Sequence, residues 1–448
     1  MTTIAAVSTP NAIGGLGVLR ISGDDAILVA EKIFRSANSR RVSDMAGYTC
    51  SYGNIYDDNT FVDDVVLTVF RKPNSYTGDD VVEISCHGGI YICKKILSLL
   101  YRHGAKPAEA GEFTRRAFEN GKMSLSQAEA VMQAIHAEGE AALQEANYAR
   151  SGKLSAQMRN ALQDITAILS ALAYWMDDPE ESPPELEPAL LTETIRKLCA
   201  RLSTMAEEYE NGRVFREGIR TALLGRPNAG KSSVMNWLSG FKRSIVTEIP
   251  GTTRDVVTEQ VKLGDYTLLL ADTAGIRTAT DRIEQIGIEQ SYLEAESAQL
   301  LLYVVDAAVG FCDEDQVFLD RYSDRKCIVL WNKIDIAHAS LPQIDVPIVP
   351  CAAKLQQGDA ALLDALRRVL GDAPTEQRPT LITERQRVLV LSAVDFLQNS
   401  IRLIEQQQPL DMLYETLQSA ALSLGEIDGD LVSDSVINGV FERFCVGK

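Results

Sequence analysis

The chain has 448 residues, enough for about three domains of ordinary size, and its 46% hydrophobic content with few aromatics is that of a globular protein. Its 62 acidic against 44 basic residues leave a formal charge of −18, which argues against a nucleic-acid binder that uses its whole surface. The eight cysteines form no CxxC pair, so neither a disulfide framework nor a zinc site is indicated, and no apolar run approaches the ~18 residues of a membrane span. The start carries no basic stretch of the signal-peptide kind, so a reducing, cytoplasmic setting is expected.

Up to about residue 118, short β-branched runs at residues 3–7, 17–21, 65–70 and 81–85 alternate with turn residues. Helical stretches fall at 24–35 and 91–101, and the pattern is α+β. From Ser124 the spacing turns helical, with Leu154, Met158, Leu162, Ile165, Ile168 and Leu172 in steps of three and four. The acidic, proline-rich stretch that begins at Asp177 breaks this helix, and another follows over roughly residues 190–210. Apolar strands at 219–224, 266–271, 300–305, 327–331 and 347–350 then alternate with helices, which predicts a doubly wound, mostly parallel sheet. Helix returns after Pro374 through Val390, Val394, Leu397 and Ile401, and again through Leu413, Leu417, Ala420 and Leu424. The expected organisation is an α+β domain over 1–118 and a discontinuous all-α helical domain over 119–213 and 376–448. An α/β P-loop domain is inserted between the two helical pieces at 214–375.

That inserted domain carries the chemistry. Gly225-Arg-Pro-Asn-Ala-Gly-Lys-Ser232 is a P-loop between a strand and a helix. Its backbone N–H groups can cradle phosphate, Lys231 can neutralise β/γ charge, and the Ser232 hydroxyl can ligate Mg²⁺. Asp272, Thr273, Ala274 and Gly275 follow a strand, where Asp272 can hold Mg²⁺ through water and the Gly275 N–H can meet the γ-phosphate. Asn332-Lys-Ile-Asp335 follows another strand. The Asp335 carboxylate can accept from guanine N1–H and its 2-amino group, a donor pair adenine lacks. Ala352, Ala353 and Lys354 sit where a Ser-Ala-Lys turn usually supports guanine, so backbone contacts are expected there. The four motifs in this order specify a Ras-like GTP-binding domain. Ile276, however, stands where a Ras-type enzyme has its water-orienting glutamine. Asn228, together with the segment from Thr247 to Arg254, offers oxygens for a monovalent cation, which could offset leaving-group charge as an arginine finger does. Asn228 equally fits a role as a simple loop filler.

The P-loop with Pro250-Gly-Thr-Thr-Arg-Asp and Asp272-Thr-Ala-Gly-Ile-Arg resembles the TrmE-Era-Era-like branch of GTPases. The stretch from Ile4 through Arg20, Tyr76-Thr-Gly-Asp-Asp-Val-Val-Glu83-Ile-Ser-Cys-His-Gly-Gly, Gly111-Glu-Phe-Thr-Arg-Arg-Ala-Phe and the terminal Cys445-Val-Gly-Lys448 narrow the likeness to the MnmE (TrmE) family of tRNA-modification GTPases. The likeness covers the whole chain. It implies an N-terminal tetrahydrofolate-binding and dimerisation domain, a homodimer, and K⁺-dependent GTP hydrolysis as the G domains pair. It also implies an FAD-dependent partner, MnmG (GidA), joined in a heterotetramer or larger assembly. With that partner, a methylene-tetrahydrofolate carbon builds an aminomethyl-type group at C5 of the wobble uridine of certain tRNAs. FAD lies on the partner, tRNA is held mainly through the complex, and no membrane is involved.

Carried over residue by residue, the resemblance puts nucleotide contacts on Asn228, Ala229, Gly230, Lys231, Ser232 and Ser233. Others fall on Thr247, Glu248, Ile249, Pro250, Gly251, Thr252 and Thr253, on the 272–275 motif, and on Asn332, Lys333, Asp335 and residues 352–354. It puts Mg²⁺ on Ser232 and Thr253, and K⁺ on Asn228, Thr247, Ile249 and Thr252. Glu284 falls at the family's water-positioning glutamate, and Lys231 and Cys445 complete the catalytic set. Folate contacts fall on Arg20, Glu83, Lys122 and Lys448. Taken without the family, Glu83, Lys122 and Glu284 read as solvated charges, Arg20 could pair with an acid, Cys445 could be a packing residue, and His87 reads as part of a structural turn. Valine at 446 replaces the more usual isoleucine or leucine. The rival reading is a regulatory GTPase of the Era/Der kind in RNA or ribosome assembly, but no basic KH-type module lies beyond the G domain.

Overall fold

At the start of the chain, alternating strands and turns form a sheet whose inward positions are mostly apolar. The computed structural model describes residues 2–137, 140–177, 187–216, 218–240, 258–264, 266–271, 295–337, 340–371, 381–430 and 432–448. Chain contacts divide it into two compact units. One comprises Met1–Ile135, Tyr148–Thr204 and Leu381–Lys448, and the other comprises His136–Asn147 and Met205–Thr380.

The first unit opens with β1 (Ile4–Val7), β2 (Leu16–Ser22), α1 (Ala26–Ile33) and β3 (Phe34–Ser36). Then come β4 (Thr49–Asp57), β5 (Thr60–Phe70), β6 (Val81–His87), α2 (Ile90–Arg102) and β7 (Lys106–Pro107). The sheet order is β3-β4-β5-β6-β2-β1-β7, antiparallel throughout except for the β1–β7 pair. Leu19 and Ile21 of β2, Val65, Leu67 and Val69 of β5, and Val82 and Ile84 of β6 are buried with Val29, Ala30, Ile96 and Leu99 of α1 and α2. The period-2 pattern thus buries one face under the helices. The sequence reading missed β4, whose inward positions are Ser51, Gly53 and Ile55, and it shortened β5 by five residues.

Helices follow: α3 (Glu112–Glu119), α4 (Leu125–His136), α5 (Glu140–Arg150), α6 (Lys153–Asp177) and α7 (Pro188–Arg216). Their counterparts near the end of the chain are described below. A buried ion pair ties the two stretches together. Arg385 donates from Nε and Nη2 to the Glu129 carboxylate at 2.8 and 3.0 Å, and Gln386 donates to the same carboxylate at 2.6 Å. Arg385 also donates to the carbonyls of Glu426 and Ile427 at 2.9 Å each. All three guanidinium nitrogens and both carboxylate oxygens thus carry a hydrogen bond, as a buried charge requires.

The second unit holds β8 (Ile219–Gly225), α8 (Lys231–Leu238), β9 (Thr258–Leu263), β10 (Tyr266–Ala271), β11 (Leu300–Asp306) and α9 (Asp313–Arg321). It continues with β12 (Lys326–Asn332), β13 (Ile348–Pro350) and α10 (Asp359–Leu370). The order is β13-β12-β11-β8-β10-β9, parallel except for the β9–β10 hairpin. β11 and β12 are buried almost end to end. One core lies against α8 and α10, through Trp237, Leu362 and Leu366; the other includes Leu319 and Tyr322. A sheet buried on both faces needs continuous apolar strands, and these sequences supply them.

The chain closes in the first unit with α11 (Glu384–Glu405), α12 (Leu410–Asp428) and α13 (Asp434–Phe441). α12 packs against both α6 and α11. The fold class is therefore α+β at the N-terminus, a discontinuous helical domain, and a Ras-like α/β G domain. Among the described residues, no helix is long and apolar enough to cross a membrane.

Candidate functional site

β8 delivers the P-loop at its carboxyl end, where a parallel sheet presents ligand sites. Gly230 has φ 101°, and a Cβ there would strike the Asn332 amide, so only glycine admits the close approach. The Lys231 ammonium spans the loop, donating to the carbonyls of Gly225 and Arg226 at 2.7 and 2.9 Å. Its burial pushes its pKa down. Anionic phosphate would favour the charged form and draw it off these carbonyls.

The segment after β12 grips the same loop. Asn332, 2% exposed, donates to the Ala229 carbonyl at 3.1 Å and accepts from Ala353 N–H at 3.1 Å. Lys333 donates to the Asn228 carbonyl at 2.9 Å and to Asp306 at 2.6 Å. The first two residues of the guanine motif thus brace the P-loop and the 352–354 turn. Asp335 is exposed and makes no hydrogen bond or ion pair among the described residues. Asn228, with φ 60°, and Ser232 are also exposed, while Ser233 is half-buried and Ala229 buried. Ala352 pairs with Gln357, and Lys354 is exposed. Thr247, Glu248, Ile249, Pro250, Gly251, Thr252, Thr253, Asp272, Thr273, Ala274, Gly275 and Glu284 lie outside the described residues.

A second constellation lies in the first unit. Arg20 on β2 faces Glu83 on β6 in register. The guanidinium donates twice to one carboxylate oxygen, at 2.9 and 2.7 Å. Its carbon stands 5.4 and 5.7 Å from the ring centres of Tyr76 and Phe113, two neighbours the sequence reading did not single out. The chain terminus is threaded alongside. Val446 bridges to Ala110, Ser8 Oγ donates to the Gly447 carbonyl at 3.1 Å, and Phe113 N–H donates to a Lys448 main-chain oxygen at 3.1 Å. Gly447 has φ 98°, and a Cβ there would meet the Val7 carbonyl. Lys448 is half-buried. Desolvation, and then the charges of Arg20 and Arg150, push its pKa down, while Glu83 and Cys445 oppose the shift. Cys445 is exposed, whereas the adjoining Phe444 is buried with Leu125 and Phe441. Lys122 is exposed and donates to the Pro73 carbonyl at 3.0 Å. Among the described residues, no hydrogen bond or ion pair joins it to Arg20, Glu83 or Lys448. His87 is held by Asp63, which accepts from its ring nitrogen at 2.7 Å and its backbone N–H at 2.9 Å, and this raises its pKa.

The model of the GTP-binding protein TrmE N-terminus matches residues 3–122, and that of the MnmE helical domain matches residues 125–445. A tRNA modification GTPase MnmE from Acetivibrio thermocellus is 36% identical over 456 residues, covering 100% of this chain and 99% of the relative. Another, from Lachnoclostridium phytofermentans, is 38% identical over 454 residues with the same coverage. Among solved structures, Era from Aquifex aeolicus is 25% identical, covering 40% of this chain and 66% of its own, with a TM-score of 0.27. The FeoB G domain from Methanococcus jannaschii is 22% identical, covering 35% of this chain and 99% of its own, with a TM-score of 0.25. The fold assignment rests on the strand order rather than on these partial matches. With both family models and full-length relatives in agreement, the chain belongs to the MnmE family of tRNA modification GTPases.

Proposed function

We propose that this chain is the K⁺-dependent GTPase subunit of a complex that, with an FAD-bearing MnmG-type partner, builds an aminomethyl-type group at C5 of the wobble uridine of certain tRNAs. The domains divide at 1–118, 119–213 with 376–448, and 214–375. The observation that carries the nucleotide half is the brace of Asn332 and Lys333 on the P-loop carbonyls, which leaves Asp335, Asn228 and Ser232 exposed. Asp335 reads guanine, Ser232 and Thr253 hold Mg²⁺, and Lys231 meets the β/γ-phosphates. Asn228, with Thr247, Ile249 and Thr252, holds K⁺, whose charge offsets that of the leaving group. Glu284 positions water in place of the glutamine that Ile276 replaces.

GTP turnover in K⁺ and Na⁺ buffers of equal ionic strength tests this reading. Stimulation by K⁺ of about tenfold or more is expected, with the 10³–10⁵ that an arginine finger supplies as the upper scale, and it should vanish in Asn228→Ala. Equal rates in both salts would sink the K⁺ assignment.

The tail site supports a folate co-substrate in a homodimer. Arg20 and Lys448 converge with Arg150 nearby, a set of cations suited to the glutamate of a tetrahydrofolate, while Glu83 suits the donor edge of its pterin. Lys122 is the fourth contact, and Cys445 stands exposed beside the site for the modification step. The sheet face opposite α1 and α2 exposes Leu16, Tyr52 and Val66, apolar surface that a second copy can cover. Gly447→Ala puts a side chain into a left-handed position that costs about 1–3 kcal/mol, and it should weaken binding of a stable formyl-tetrahydrofolate by about tenfold. A fluorescence titration with unchanged affinity would remove the tail from the site.

A further inference from the structure

Arg226, the second residue of the P-loop, is engaged away from the loop backbone. Its Nη2 donates to the Gly310 carbonyl at 2.7 Å and lies 3.0 Å from Asp315 Oδ2. Asp315, in the first turn of α9, is 0% exposed. Its Oδ1 accepts from the Tyr303 hydroxyl at 2.8 Å, and its Oδ2 accepts from Cys312 N–H at 2.9 Å. Tyr303 sits on β11 opposite Leu224 of β8, the residue before the P-loop begins. The network therefore closes a ring: β8, P-loop, Arg226, Asp315, Tyr303, β11 and back to β8. Burial and the Asp315 carboxylate push the Tyr303 pKa up, so its hydroxyl stays a donor.

A helix cap would need only an acceptor for Cys312 N–H, and a neutral side chain could provide that. The full burial of a carboxylate on a P-loop arginine calls for more. The loop carries positive φ at Gly225, Asn228 and Gly230, freely at the glycines and at a cost at Asn228, and contacts from outside help hold this curl. Asn332 and Lys333 hold its second half from outside; Arg226 does the same for its first, where Lys231 Nζ also binds the Gly225 and Arg226 carbonyls from within the loop.

We propose that Asp315 is a positioning residue for nucleotide phosphate, acting through Arg226 to hold the first half of the P-loop in the curl that receives the β-phosphate. Arg226 is committed to this anchor and is not a finger that contacts the transferred phosphoryl group. This rests on the GTPase reading of the site.

The test measures GDP, GTP and GMP affinities of the full chain by displacement of a fluorescent GDP. Asp315→Asn keeps an acceptor for the cap but removes the charge. It should weaken GDP and GTP about tenfold, the scale of one charge-assisted hydrogen bond, and leave GMP, which lacks a β-phosphate, unchanged. Arg226→Gln should match it, and the double variant should be no worse than either single one. Tyr303→Phe keeps the ion pair and should show the same GDP-selective loss, smaller in size. It decides the matter if Asp315→Asn does not fold. Equal weakening of GMP and GDP, additive single effects, or unaltered GDP binding would overturn the proposal. A wild-type chain that binds none of the three nucleotides would overturn the GTPase reading itself and this inference with it.

Discussion

Asp335→Asn is expected to weaken GTP binding by about 10²–10⁴-fold and to turn preference towards xanthosine triphosphate. A carboxylate opposite guanine N1–H and the 2-amino group makes two charge-assisted hydrogen bonds, each about 1.5–3 kcal/mol. Losing one outright, reducing the other to a neutral bond and setting donor against donor is together about 3–6 kcal/mol, at roughly 1.4 kcal/mol per tenfold. The amide then sets its own N–H against the guanine 2-amino group, donor against donor, whereas xanthine carries an acceptor carbonyl there. The position suits the experiment because Asp335 is exposed and makes no hydrogen bond or ion pair among the described residues, so the change breaks nothing internal. Asn332 and Lys333, which brace the loop, are different cases: replacing either one changes fold and ligand together. Competition of GTP and xanthosine triphosphate against fluorescent GDP reads the result. Unaltered GTP affinity would take Asp335 out of the base site.

Arg385→Ala should destabilise the first unit by about 3–5 kcal/mol, because it strands a buried carboxylate. Glu129 is 7% exposed and would keep only the Gln386 amide. The carbonyls of Glu426 and Ile427 lose their donor in the same step. The thermal midpoint should fall by about 10 °C. Replacing Glu129 and Arg385 together with leucines should recover most of that loss, since apolar residues of similar volume often equal a buried pair. Thermal unfolding of both variants checks the argument, with nucleotide affinity as a control on the other unit. A single variant that melts with the wild type would show that the pair contributes nothing.

Most of the secondary structure was legible because it is local. A strand buried on both faces, such as β11, has to be apolar at nearly every position, and a helix such as α6 repeats its apolar residues every three or four. The P-loop and the guanine motif were legible for the same reason, since each lies within a few residues at the end of one strand. β4 escaped because its tyrosines, glycine and asparagine carry no continuous apolar signal; pairing with β5 makes it a strand.

What the sequence by itself determined is therefore most of the order of elements, the class of each domain and the guanine-nucleotide motifs. Tertiary structure decided which charges meet. Glu129 finds Arg385 across 256 residues, and Arg20 finds Glu83 across 63. Arg226 meets Asp315, and Gly447 and Lys448 accept hydrogen bonds from Ser8 and Phe113, more than 300 residues earlier in the chain. Periodicity records only whether a position faces in or out. The partner of a buried charge is set by which other element reaches the same low-dielectric place, where an unpaired charge cannot stay.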